Sequence, residues 1–426
     1  MIFRFSLYGF LKNLRIFEAF LLLALLDRGL DFLAIGSLIA VREVAVNVFE
    51  IPSGALADGI GRKRCMVFSM AAYVVAYLGL GLGTSWWFLA AAMIVYGLGD
   101  AFRSGTHKAL IYTWLRQQGR AEERTRVYGY TRSWSKIGSA ASALVGGGLL
   151  LAGTGYRWVF LASAIPAVVN LVNLATYPSN LDTPSGTLRE GWRDAWSHLG
   201  QGLKAIVRRG NLRRLVVSSV AVEGGYKVAK DYLQPLLQGL AVGLPLTVAL
   251  SLSEEQRTGV VVALVSAALY LLASAASRRA HVVEEAVGDA DRAASIVAFG
   301  LLASFALLAV CLLLGQAWLA ALLFVGLAVG ENLWRPIHIG RFDRDGDERQ
   351  AATTLSVDAQ ATAAAGALLA PLIGALVDQA SAGADPVPAT ALWPVALLGL
   401  PLIGVVLWRR RQDDAVRSRS ESHGRR

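Results

Sequence analysis

Long apolar runs alternate with short polar ones along most of the chain. A helix that crosses the hydrocarbon core needs roughly 20 mostly apolar residues. By that ruler twelve spans are predicted, at 14–36, 38–57, 65–83, 86–113, 128–152, 156–177, 212–238, 257–277, 293–314, 317–340, 351–377 and 390–408. The first follows a basic segment, MIFRFSLYGFLKNLR, and contains FEAFLLLALLDRGLDFLAIG. That run is longer than the apolar part of a secretion signal, contains acids and lacks a small-residue cleavage site, so it reads as an uncleaved span.

The polar interruptions are ordered. Basic segments at Gly61–Arg64, Arg116–Arg126, Arg189–Arg214, Arg278–Arg292, Arg341–Arg349 and Arg409–Arg411 fall in alternate loops and the tail, as do Arg4, Lys12 and Arg15 at the N-terminus. The opposite loops hold little beyond Arg157 and Arg257. Such an asymmetry predicts a multi-pass protein of the cytoplasmic (cell) membrane with both termini in the cytoplasm. The longest loop, Pro178 to Asn211, divides the spans six and six. Within it Trp192, Trp196, Leu199, Leu203 and Ile206 recur at helical spacing beside Arg189, Arg193, Lys204 and Arg208, which predicts an amphipathic helix on the inner membrane surface. The expected units are therefore an N-terminal bundle at 1–177, a linker at 178–211, a C-terminal bundle at 212–408 and a disordered cytoplasmic tail at 409–426.

Composition adds exclusions. The 426 residues are 55% hydrophobic and 17% charged, against about 25% charged in a soluble protein. The net charge of +10 sits in short clusters between apolar runs and not on one module, so nucleic acid is not an expected partner. Cys65 and Cys311 form neither a metal spacing nor a disulfide framework, and no cofactor or metal is expected. There is no phosphate-binding lysine–serine loop, so neither an enzyme nor an ATP-driven pump is expected.

Two sets of polar residues carry the candidate chemistry. The stretch EIPSGALADGIGRKR, residues 50–64, separates the second and third spans. Its bases can sit among headgroups, Gly54 and Gly61 permit close approach and a tight turn, and Asp58 can pair with a base or cap a neighbouring helix. A pair made in one conformation only would be a latch; a plain topogenic anchor is the competing reading.

The second set is acids at membrane depth, which are costly and normally face a bundle interior or water. Asp27, Asp100, Glu223 and Glu331 fall near the middles of spans one, four, seven and ten, with Arg28, Arg103, Lys227 and Arg335 beside them. The last three pairs are three or four residues apart and share a helix face. Either a carboxylate carries a proton while a base holds an anionic cargo group, or each pair neutralises itself. Asp27 and Glu331 are the leading proton carriers and Arg103 and Arg335 the leading cargo binders. His107 and His338, one turn further on, could relay a proton. Asp31, Lys136, Asp231 and Asp358 are further polar residues within spans, and the stripe Ser135, Ser139, Ala143, Gly147 in span five permits close helix contact.

Span number, central loop and loop motif together resemble the major facilitator superfamily, which carries G-x-x-x-D-(R/K)-x-G-(R/K)-(R/K) between its second and third helices. Gly54, Asp58, Gly61, Arg62 and Lys63 match it, with Gly59 where the family has a base. GLGDA, from Gly97 to Ala101, resembles a fourth-helix signature, with Met93 in place of its arginine. Gly138 and Gly146–Gly148 echo a glycine-rich antiporter motif without its proline. The resemblance implies an all-α membrane protein, two six-helix bundles that rock around a midplane site lined by helices one, four, seven and ten. It further implies a monomeric secondary transporter in the lipid bilayer, moving a small organic solute by alternating access. Proton-coupled efflux by antiport is the leading expectation and uptake by symport the alternative; a receptor or scaffold that transports nothing is the rival from another class.

Overall fold

The computed structural model describes residues 1–103, 106–181, 197, 200, 203–204, 206–243, 251–345 and 351–407, without the side chains at 51, 55, 58, 121, 124, 125, 343, 345 and 351–353. All regular structure among the described residues is helical. Among the described residues eight helices are long and apolar enough to cross a membrane: those within Phe32–Ile60, Arg62–Leu82, Tyr156–Ala175, Glu254–Val287, Ala290–Leu313, Ala317–Asp345, Ala351–Ser381 and Ala389–Leu407. Four further helical stretches are broken or more heavily charged: Ile2–Asn13 continued by Glu18–Phe20 and Leu21–Leu26; Trp86–Arg103 with Thr106–Gln117; Arg124–Leu151; and Gly210–Ser219 continued to Val242. Taken in chain order, these eight helices and four stretches of the described residues are numbered legs one to twelve.

The first leg differs from its expected position. It begins at Ile2 and ends at Leu26, so the basic segment placed before the membrane is itself its first half. The apolar ruler failed there because the charges have partners inside the protein. Arg4 bonds to Asn173 and Thr176 on the sixth leg, and Arg15 to Tyr96 on the fourth. The second leg accordingly starts at Phe32, capped by Asp31, whose carboxylate accepts the Ala34 N–H at 2.7 Å. The expected linker helix lies outside the described residues except for isolated positions, as does the tail beyond 407. Of its apolar stripe, Ile206 is buried with Leu212, Leu215 and Phe342, while Leu203 is exposed.

Legs one to six pack among themselves, as do seven to twelve, and the halves meet mainly where leg two runs along leg eleven and leg five along leg eight. Both seams are tightest at the end away from the termini. A Cβ on Gly36 would collide with the Ala370 carbonyl, and one on Gly374 with the Phe32 carbonyl. At the other seam a Cβ on Gly147 would collide with the Ala263 methyl, which explains the small-residue stripe of leg five as a packing surface. Polar bonds reinforce both. Asp378, near the end of leg eleven, accepts the Phe32 N–H at 2.9 Å and the Leu33 N–H at 2.7 Å, capping leg two from the opposite bundle. Gln256 completes the capping box of leg eight with Ser253 and also donates to the Leu151 carbonyl that ends leg five, at 2.8 Å.

Candidate functional site

Legs one and seven, the first of each bundle, are both interrupted. Leg one breaks between Asn13 and Glu18. The freed backbone groups are met by side chains: Ser142 donates to the Arg15 carbonyl at 3.0 Å, and the Phe17 N–H donates to Ser163 at 3.3 Å. One turn on, the Leu22 N–H donates to Gln234 of leg seven at 2.9 Å. Leg seven contains a π-helical turn at Val220–Gly224 and a 3₁₀ turn at Lys230–Tyr232. Irregular backbone at membrane depth survives only where protein or a watery cavity satisfies it. Interruptions at corresponding places in two halves point to a binding site.

A cavity lies between these breaks. It encloses about 510 Å³, counting its solvent-filled mouth, and is bordered by legs one, two, four, seven and eleven. Three acids (Glu18, Glu43, Asp231) and three bases (Arg42, Lys227, Lys230) line it. Glu43 is 2% exposed and holds the two bundles together there. One of its carboxylate oxygens binds Arg42 on its own leg, and the other accepts from Lys227 Nζ, across the seam, at 2.5 Å.

Behind the cavity wall, Asp100 is the centre of a buried cluster in the first bundle. Tyr73 donates to it at 2.5 Å, and Arg15 and Arg103 each approach it at 3.3 Å. Arg103 also donates to the Tyr73 hydroxyl at 2.9 Å. In the second bundle Arg335 pairs with Glu223 at 3.0 Å and stands 4.0 Å from Glu331, which is 7% exposed and accepts from Asn332 at 2.8 Å.

The expected pairs are thus partly re-partnered. Asp100 with Arg103 and Glu331 with Arg335 are together as the spacing indicated. Lys227 pairs with Glu43 of the other bundle, and Glu223 with Arg335 of the tenth leg. Asp27 is not in the middle of a span: it is exposed in the turn after leg one, and Arg28 instead donates to the Gly83 carbonyl at 3.0 Å. Shifting the first leg by about three turns moved that acid to the membrane surface and brought Glu18 to mid-depth. Glu18, Arg42, Glu43 and Lys230 were missed. The signal available was their charge within otherwise apolar stretches, obscured by the misplaced first boundary.

The histidines sit in packed surroundings. His107 stacks on Tyr8 with ring centroids 3.8 Å apart, edge-on to Phe5. His338 stacks on Trp334 at 3.9 Å. Arg341 can only donate, so the His338 Nδ1 that lies 3.0 Å from it accepts, and Nε2 carries the hydrogen toward Ser219 and the Leu215 carbonyl. Its neutral form is a helix tie.

At the loop motif, Gly61 has φ +103°, a conformation that requires glycine, and it joins legs two and three without an intervening loop. Lys63 donates to the Tyr177 carbonyl at 2.7 Å, within its own bundle. Gly54 is exposed and Arg62 half-buried, while the Asp58 side chain lies outside the described residues.

The family described as the Major Facilitator Superfamily matches residues 7–337. The chain belongs to the major facilitator superfamily. An uncharacterized MFS-type transporter, YxaM of Bacillus subtilis (strain 168), is 24% identical over 228 residues, 53% of this chain and 55% of that protein. The drug efflux pump JefA of Mycobacterium tuberculosis is 33% identical over 133 residues, 30% of this chain and 24% of the pump. The matched stretch thus spans about half of YxaM and a quarter of JefA. Among solved structures, the nucleoside transporter NupG superposes with a TM-score of 0.73 at 12% identity, covering 95% of this chain and 98% of NupG. A bacterial homologue of the human lysosomal transporter Spinster, inward-facing and unoccupied, gives 0.69 at 15% identity over 95% and 93% of the two chains. This member of the superfamily is a multi-pass membrane protein with the fold of the superfamily's transporters.

Proposed function

We propose that this transporter moves a small polar organic solute out of the cell by alternating access, in exchange for protons. The observation that carries the reading is the ion pair between Glu43 and Lys227, which joins the bundles at the edge of a cavity lined by both signs of charge. Such a pair exists only while the bundles hold this relation, so breaking it and re-forming it is coupled to rocking. Glu331 is the proton carrier: it is buried, and Arg335, its nearest base, is shared with Glu223 and stands 4.0 Å away. Arg335 and Arg103 balance acids on either side of the midplane. Export is supported by the partial likeness to a pump named for drug efflux. In this reading the termini lie in the cytoplasm, the protein acts as a monomer, and Gly54, Asp58, Gly61, Arg62 and Lys63 form the latch of the cytoplasmic end.

Transport into or out of proteoliposomes under an imposed pH gradient tests this. Gradient-driven solute flux against the proton flow is expected for the wild type. Glu331→Gln is expected to lose accumulation by tenfold or more while keeping solute exchange down its own gradient. Flux indifferent to the gradient would remove proton coupling, and flux with the protons would make the protein a symporter.

A further inference from the structure

The cavity charges are not all committed to each other, and what is left over describes a ligand. Glu43 uses both carboxylate oxygens, one on Arg42 and one on Lys227. Two bases therefore share one acid, and the group carries a net positive charge. Among the described residues their donors are not all used: Lys227 spends one of three on Glu43, and the buried Arg42 Nε has no partner. Tyr96 supports the Arg42 guanidinium from one face, at 5.1 Å from its ring centroid, which fixes the plane in which the fork can receive an anion. Lys230 and Asp231 stand 4.0 Å apart and offset each other. Glu18 remains. It sits at the break of leg one, and its carboxylate has no hydrogen bond or ion pair among the described residues.

On the transport reading above, we propose that the cargo is a small zwitterion of the amino-acid type. Its anionic end binds Arg42 and Lys227, and its ammonium end binds Glu18. The charge balance excludes the simpler cargoes. A plain anion would satisfy the positive group and leave the Glu18 carboxylate without a hydrogen-bonding partner among the described residues. A plain cation would do the reverse. An apolar solute would desolvate both poles, and an unpaired charge in a low-dielectric setting is the most costly group to bury. A zwitterion meets both poles at once and enters and leaves with no net charge. The apolar part of the same wall, Phe17, Leu21, Ile39 and Val228, is left to receive the cargo's side chain.

Equilibrium binding to the purified full-length protein in detergent micelles tests the assignment without a transport step. The probes are aliphatic α-amino acids and dipeptides, each beside its N-acetyl derivative, which keeps only the anion, and its amide, which keeps only the cation. At least one zwitterion is expected to bind ten times or more tighter than both of its derivatives. Glu18→Gln is expected to level the zwitterion with its N-acetyl derivative, and Lys227→Gln to bring it toward its amide. Glu18 makes no ion pair to lose, so its variant keeps the test open if the Lys227 variant does not fold. Failure of every probe to bind, or single-charge derivatives as tight as the zwitterion, would overturn the assignment. Gradient-driven flux of solutes that lack one pole would also overturn it while leaving proton-coupled transport standing. Two-pole binding with no flux in liposomes would support it and remove the transport reading instead.

Discussion

Removing one partner of a buried ion pair leaves the other charge in a poorly solvated place, and costs about 3–5 kcal/mol. Glu43→Gln leaves Arg42 and Lys227 facing each other, so it is expected to destabilise by that amount. The pair of changes Glu43→Gln with Lys227→Met is expected to recover a good part of the loss. Thermal unfolding of the single and double variants checks this; equal, additive losses would mean that the pair contributes nothing. Asp100→Asn is expected to be at least as damaging, since it leaves Arg15 and Arg103 without the carboxylate between them. At this scale the sequence was partly legible. Asp100–Arg103 and Glu331–Arg335 followed from helical spacing, because partners on one helix face need no knowledge of tertiary structure. Glu43–Lys227 and Glu223–Arg335 link residues far apart in the chain, and only the packing of different legs brings those together. Asp27 was misread for a single reason: a helix whose charges are satisfied inside the protein does not look apolar.

Asp378 closes one seam as an element-scale device, a carboxylate on leg eleven that caps leg two. A hydrogen bond to a charged group contributes about 2 kcal/mol net, which moves a two-state equilibrium about thirtyfold. Asp378→Ala is therefore expected to open the end away from the termini. With Cys65 and Cys311 replaced by serine, a cysteine at Ile39 should be labelled faster by an impermeant thiol reagent applied from that side. Gly374→Val is expected to act in the same direction, because its Cβ would meet the Phe32 carbonyl. Unchanged labelling in both variants would show that this seam is not the barrier. From the sequence, the aspartate expected to pair with a base or cap a neighbouring helix is Asp58, whose side chain lies outside the described residues. Asp378 lies in an alanine- and glycine-rich leg whose partner could not be known before the fold was. The break in leg one was equally hidden, since its backbone groups are satisfied by Ser142, Ser163 and Gln234 from other legs.

For the whole molecule, the all-helical membrane fold and the family were legible, because hydrocarbon thickness acts on the chain segment by segment. The conformational state was not, because it depends on which end of the two seams is closed. Both are closed here at the end away from the termini, by Asp378, by Gln256 and by glycine-allowed backbone contact. Alternating access requires that this closure be reversible. The most direct measurement is the distance distribution between spin labels at Thr84 and Gln316, exposed in turns at that end of the first and second bundles, in the cysteine-free protein reconstituted in lipid. Two populations are expected, a short distance matching the packed seams and a longer one, with their ratio shifted by pH and by cargo and the pH response lost in Glu331→Gln. A single short distance that neither pH nor cargo alters, in liposomes where transport is proceeding, would contradict the account.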